Sequence, residues 1–234
     1  MVVDVGSIGT ARDVAAYIEK TPGLSLRDVK YVTATHFHID HIGGIGHLLN
    51  LCPAETRVMF HALVGDYLNR TRRLSLMENW LVGLLPAFLV SARSVRSFSH
   101  LRFESLAGIP LAGLRNAMAL PYPRERMVFF GGTGGARQRI GFDDWEVIES
   151  PGHTEDSVTF YQASSGDLIC GDLIINVRAN EGGRLNHFYG DRRTMVASYR
   201  LLCETTRPAA LYPGHGEVIR GGGDLLARVR TFNS

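Results

Sequence analysis

Residues 35–41 read Thr-His-Phe-His-Ile-Asp-His, which places four metal-ligand side chains within six positions directly after a β-branched run. A protein core gains little from clustered imidazoles and a carboxylate unless a cation neutralises them. The cluster therefore demands a fold that delivers more ligands from distant parts of the chain. If the backbone stays extended here, alternation sends His36 and His38 to one side, within reach of one ion. Asp40 and His41 follow, able to face a second. Three later segments follow predicted strands with the missing side-chain types: Ser150-Pro151-Gly152-His153-Thr154, Cys170-Gly171-Asp172 and Tyr212-Pro213-Gly214-His215-Gly216. Each turn is commonplace alone. Together they complete a paired site, because two ions need additional ligands and a group that bridges them.

Short apolar, β-branched runs at 31–35, 57–61, 127–130, 145–148, 158–161, 168–170 and 209–212 predict strands. Helical patterns fall at about 11–20, 43–51, 64–73, 76–93, 192–204 and 224–231, with Thr10 and Asp13 as a capping pair for the first and Asp224 as a cap for the last. This mixed order without a regular βαβ period predicts a layered α/β fold, and 234 residues without a linker predict one domain, 1–234. The stretch from Leu76 to Arg93 is apolar nearly all round, with Gly83 and Pro86 inside it. It is shorter than the roughly 20 apolar residues a bilayer span requires, and Pro86 would kink it. A buried helix, a homodimer contact, a pocket wall or surface docking suits it better than a membrane span.

Lys and Arg total 25 against 23 for Asp and Glu. That balance gives no reason to expect a nucleic-acid partner. Cys52, Cys170 and Cys203 are far apart, with no C-x-x-C pair, which argues against a disulfide framework or a cysteine metal site. The opening residues carry no basic region followed by a long apolar stretch, so a cytoplasmic location is the expectation. Gly131-Gly132-Thr133-Gly134-Gly135 lacks the Lys-Ser/Thr of a phosphate loop and reads as a hairpin or active-site loop. His47, His61 and His100 read as ordinary structural or surface residues. His187 and Tyr189, in the loop after Asp172, are candidates for contact with a substrate or an oxyanion.

With H-x-H-x-D-H followed in order by G-H-T, G-D and P-G-H-G, the chain resembles the metallo-β-lactamase superfamily. The wording of its turns is similar to that of glyoxalase II-like and lactonase-like hydrolases. The resemblance runs from Asp4-Val5-Gly6, similar to the family's early D-x-G turn, to the Gly214-His215-Gly216 segment. It implies His36, His38 and His153 on a first metal, Asp40, His41 and His215 on a second, and Asp172 bridging both. It also implies an α/β (α+β) fold, a four-layer αββα sandwich with the metals at one edge of two facing sheets. The chain departs from the pattern in three places. The β-hairpin that normally precedes the D-x-G turn has no counterpart before Asp4, so either edge strands are missing, leaving a sheet edge as a second candidate homodimer surface, or the true start lies upstream. The long interval between His41 and His153 carries a mostly helical insertion at about 64–120. Thr154 is followed by Glu155-Asp156-Ser157, where relatives often have Pro-Gly-Ser.

The activity implied is hydrolysis of an ester, thioester or lactone by a hydroxide held between two divalent metal ions. Zinc comes first, although imidazole and carboxylate ligands suit iron and manganese too. Asp40 is the candidate catalytic residue, orienting the hydroxide or taking its proton. The apolar run from Trp80 to Val90 favours a small-molecule substrate with an apolar part. The rival readings are a phosphodiesterase on the same centre and a mononuclear-iron persulfide dioxygenase with His36, His153 and Asp172 as its triad. A non-catalytic binding protein that retains the fold is a third. A flavodiiron-type oxidoreductase fits less well, because that group has Glu where His38 stands.

Overall fold

The computed structural model describes residues 1–74, 95–109, 119–132, 137–177 and 182–232. The predicted helix at 76–93, part of the 64–120 insertion and residues 133–135 of the glycine-rich run lie outside them. Two compact units form, one from Met1–Leu74 with Val95–Phe130 and the other from Gly131–Ser234.

The first unit is built on a parallel sheet of β1 (Val2–Val3), β2 (Tyr31–Thr33), β3 (Arg57–His61) and β4 (Met127–Phe130), in that spatial order. Its edge strand β1 is only two residues long, which gives another chain little template for pairing. Helix α1 (Ile8–Lys20) begins earlier than the sequence suggests. Ser7, not Thr10, is the cap, and its hydroxyl accepts from the Thr10 amide at 3.2 Å. Asp13 is engaged elsewhere, 3.1 Å from His100 Nε2. Two short helices, α2 (Ile39–Ile42) and α3 (Ile45–Leu49), follow β2, and α4 (Ala62–Asn69) follows β3. Val5, Ala11, Val32, Phe37, Ile45, Leu48, Val58, Phe60 and Tyr67 form the buried core of this unit. The predicted strands at 31–35 and 57–61 thus supply its centre.

The second unit carries a six-stranded sheet in the order β12-β11-β8-β7-β6-β5. Its strands are β5 (Arg137–Arg139), β6 (Trp145–Glu149), β7 (Val158–Gln162), β8 (Asp167–Gly171), β11 (Ala210–Pro213) and β12 (Ile219–Arg220). All neighbours are antiparallel except β11 and β8. A separate two-stranded ladder joins β9 (Ile174–Ile175) to β10 (Arg184–Leu185). Helix α5 (Arg192–Thr205) is capped by Asp191, which accepts from the amides of Arg193 and Thr194. The helix buries Met195, Tyr199 and Leu202 in one cluster with Leu168, Leu173 and Leu211.

The predicted helix at 224–231 is a correction. Only a single 3₁₀ turn forms, Leu226–Arg228, with Asp224 accepting from the Ala227 amide at 3.2 Å. The chain then extends, because the Arg230 amide and carbonyl bond to Gly183 and Leu185. Those tertiary backbone bonds override the local helical pattern. Among the described residues, no helix is long and apolar enough to cross a membrane.

Candidate metal centre

In the first unit the chain leaves β2 at Thr33 and bends through 34–38 into α2. Alternation of side chains persists through the bend. Phe37 is fully buried against the rings of Phe60 and Tyr67, at centroid distances of 5.7 and 6.1 Å. His36 and His38 meet instead, with His36 Nε2 lying 3.0 Å from His38 Nδ1. The His41 ring joins them, its centroid 4.1 Å from that of His36. All three imidazoles are buried. Two nitrogens on one tetrahedral ion, each about 2.0–2.1 Å from it, lie about 3.3 Å apart, so the His36–His38 spacing suits a shared cation.

The ring of His36 is oriented from its far side. Asp4 follows β1 with a φ of 58°, a left-handed conformation that aspartate tolerates better than most residues. Its Oδ1 accepts from the Thr35 amide at 2.7 Å and its Oδ2 from the Thr35 hydroxyl at 2.9 Å. That hydroxyl can then accept from His36 Nδ1, 3.1 Å away, which leaves Nε2 with its lone pair. Asp4 Oδ2 also lies 3.0 Å from His41 Nδ1, an ion-pair distance that sets a carboxylate beside that ring. Asp40, on the first turn of α2, is exposed.

The second unit gathers the other three predicted ligands. His153 sits in the turn after β6, where Gly152 adopts a φ of 136° and a Cβ would collide with the Met195 backbone at the start of α5. Asp172 follows β8 and His215 follows β11, and the Gly214 amide bonds to the Gly171 carbonyl at 2.9 Å. Asp172 Oδ2 lies 3.5 Å from His153 Nε2 and 3.4 Å from His215 Nε2. His153 Nδ1 donates to the Phe188 carbonyl at 2.6 Å. With Nδ1 engaged in this way, Nε2 is the ring nitrogen that faces the buried carboxylate. A neutral imidazole ligates through that nitrogen, so two imidazoles converging on one buried carboxylate form a donor set that fits a divalent cation.

Other groups near these residues do different work. Burial pushes the Cys170 thiol up, and the Asp172 charge adds to the effect, which keeps Cys170 a neutral thiol. His187 is exposed, and partial burial together with Arg184 and Arg192 lowers its pKa. The rings of His187 and Tyr189 pack against Phe232, at 5.1 and 5.2 Å. His61 caps α4, accepting from the Leu63 amide, and His100 joins Ser97 to Asp13. Gly131 and Gly132 donate their amides to Gln138 and Glu149.

The sequence marks Asp4 only as a turn residue and gives no role to Thr35 or to Asn186, whose side-chain amide donates to Asp172 Oδ2 at 3.3 Å. The D-x-G motif was the available signal for Asp4. Asn186 carries no motif. Asp4→Asn should keep the fold near wild-type stability, because the amide oxygen still accepts from the Thr35 amide. It should nevertheless weaken divalent-cation binding by about 10–100-fold in a chelator competition, since the partner of His41 is no longer a carboxylate. Unchanged affinity would show that Asp4 does not orient the imidazoles.

A family model described as the metallo-beta-lactamase superfamily matches residues 1–215, and the chain belongs to that superfamily. It is 27% identical over 204 residues to "Probable metallo-hydrolase YqjP" of Bacillus subtilis (strain 168), a match that covers 84% of this chain. The chain spans 57% of that relative's length. Over a shorter stretch, 81 residues covering 35% of this chain and 30% of the relative, it is 37% identical to a hydroxyacylglutathione hydrolase of Cereibacter sphaeroides. Among solved structures, TTHA1623 in a di-iron-bound form superposes with a TM-score of 0.52 at 18% identity. That alignment covers 93% of this chain and 82% of the other. The α/β metallo-β-lactamase fold expected from the sequence is the fold of this chain.

Proposed function

We propose that this chain is a metal-dependent hydrolase of esters, thioesters or lactones. In this reading His36, His38 and His153 hold one divalent cation, Asp40, His41 and His215 hold a second, and Asp172 lies between them. The observation that carries it is the set of Nδ1 partners that orient the imidazole rings. His153 Nδ1 donates to the Phe188 carbonyl and His36 Nδ1 to the Thr35 hydroxyl, which leaves the Nε2 of each ring as the atom able to ligate, with Asp172 Oδ2 3.5 Å from that of His153. Orienting partners of this kind accompany metal-bound histidines.

When bound, divalent cations at such a centre supply Lewis acidity and a water-derived nucleophile near neutral pH. The chain's own contributions are separable. Asp40, exposed at the start of α2, accepts a proton on its carboxylate as water attacks. The buried Asp172 carboxylate balances cationic charge. No thiol nucleophile is needed, and Cys170 is held neutral. Zinc is the favoured ion. Iron is the alternative, supported by the di-iron form of a structural neighbour. The preference for an acyl substrate draws support from the relative named hydroxyacylglutathione hydrolase.

The test is turnover of a panel of lactones, thioesters and phosphodiesters by protein stripped with chelator and reloaded with zinc, iron or manganese. Acyl hydrolysis that vanishes on stripping and returns on reloading is expected. Cleavage confined to phosphodiesters, or turnover indifferent to metal, would contradict the reading.

A further inference from the structure

The β9–β10 ladder pairs Leu185 with Ile174, and the next amide, that of Asn186, donates to the Leu173 carbonyl at 3.2 Å. This register sets the Asn186 side chain beside Asp172. The residue is 6% exposed, and both ends of its amide are engaged. Nδ2 donates to Asp172 Oδ2 at 3.3 Å, and Oδ1 accepts from the Phe188 amide at 3.0 Å. The Phe188 carbonyl in turn accepts from His153 Nδ1 at 2.6 Å. A chain of three hydrogen bonds therefore runs from one candidate ligand to another through a single buried side chain.

Asparagine is chemically suited to this position. It presents an acceptor and a donor pair on one rigid plane, so it can close an Asx-turn on Phe188 and still donate to a carboxylate. Aspartate would set a second negative charge against Asp172, and leucine would strand both partners. The far end of the loop is pinned as well, because the amides of Gly190 and Asp191 both bond to the Gly152 carbonyl, next to His153.

We propose that Asn186 is a positioning residue for the metal centre, fixing the Asp172 carboxylate and, through Phe188, the tautomer and tilt of His153. The inference rests on the metal-hydrolase reading above. It assigns to the loop between β10 and α5 a role in setting metal affinity.

Two variants test it. In Asn186→Ser the hydroxyl can still accept from the Phe188 amide, but it is too short to reach Asp172. Asn186→Leu loses both bonds. Asn186→Ser should bind zinc about 10–100-fold more weakly in a chelator competition. It should also alter the visible absorption of the cobalt(II)-substituted protein, while its metal-free melting temperature stays near that of the wild type. Asn186→Leu should show the same loss of zinc with a lower melting temperature. Wild-type zinc affinity and an unchanged cobalt spectrum in Asn186→Ser would overturn this inference alone. A wild-type chain that holds no stoichiometric metal would overturn the hydrolase reading and this inference together.

Discussion

Asp172→Ala should separate metal binding from folding. The Asp172 carboxylate is buried within 3.5 Å of His153 Nε2 and 3.4 Å of His215 Nε2, so its removal deletes the negative charge between two imidazoles. Affinity for divalent cations should fall by more than the roughly 10–100-fold that an orienting partner is worth. Hydrolytic turnover should fall with it. The metal-free variant should melt near the metal-free wild type, because losing the Asn186 Nδ2 hydrogen bond is offset by removing a buried charge. What disappears is the stabilisation by added metal, about 2.7 kcal/mol in the wild type when free metal stands at a hundred times the dissociation constant. Melting curves of both proteins with and without zinc would measure the difference. Equal zinc-induced shifts in the two would contradict the role given to Asp172.

Phe37→Ala should have the largest effect on stability. Phe37 is fully buried between Phe60 and Tyr67, while the residues on either side of it present imidazoles to each other. Truncating a buried phenylalanine costs about 3–5 kcal/mol through lost transfer energy and the cavity left behind. For a chain of this size the melting temperature should drop by roughly 10 °C or more. The backbone between His36 and His38 would lose its anchor, so metal affinity should fall as well, although no ligand has been touched. Phe37→Leu, which refills most of the space, should restore most of both losses. A Phe37→Ala variant that melts within about 2 °C of wild type would show that the ring does not hold the motif in place.

Phe37 also shows why the meeting of His36 and His38 was legible. The alternation of His36, Phe37 and His38 divides imidazoles from core whether or not the backbone stays in a strand, and here it has already left β2. The central strands were legible for a related reason, since buried β-branched runs bounded by turn residues leave few other solutions. What failed depended on distant partners. The 224–231 pattern is helical by itself, yet Arg230 finds backbone bonds with Gly183 and Leu185. Asp13 looked like a cap but pairs with His100, from the far side of the first unit's sequence. Asn186 gains its place only from the register between β9 and β10, two strands of two residues each that no periodicity announces. Asp4 was visible as a turn, but its bonds to Thr35 and its place beside His41 arise only once β1 lies parallel to β2.

The central claim is that imidazoles and carboxylates from separated segments enclose divalent cations. Anomalous X-ray diffraction from crystals of the metal-loaded chain tests it most directly. The account predicts peaks at coordination distance, about 2.0–2.2 Å, from nitrogens of His36, His38 and His153 and from the Asp172 carboxylate. A second peak is predicted at His41 and His215. Peaks confined to other residues, or a loaded and active protein with none at these side chains, would contradict it.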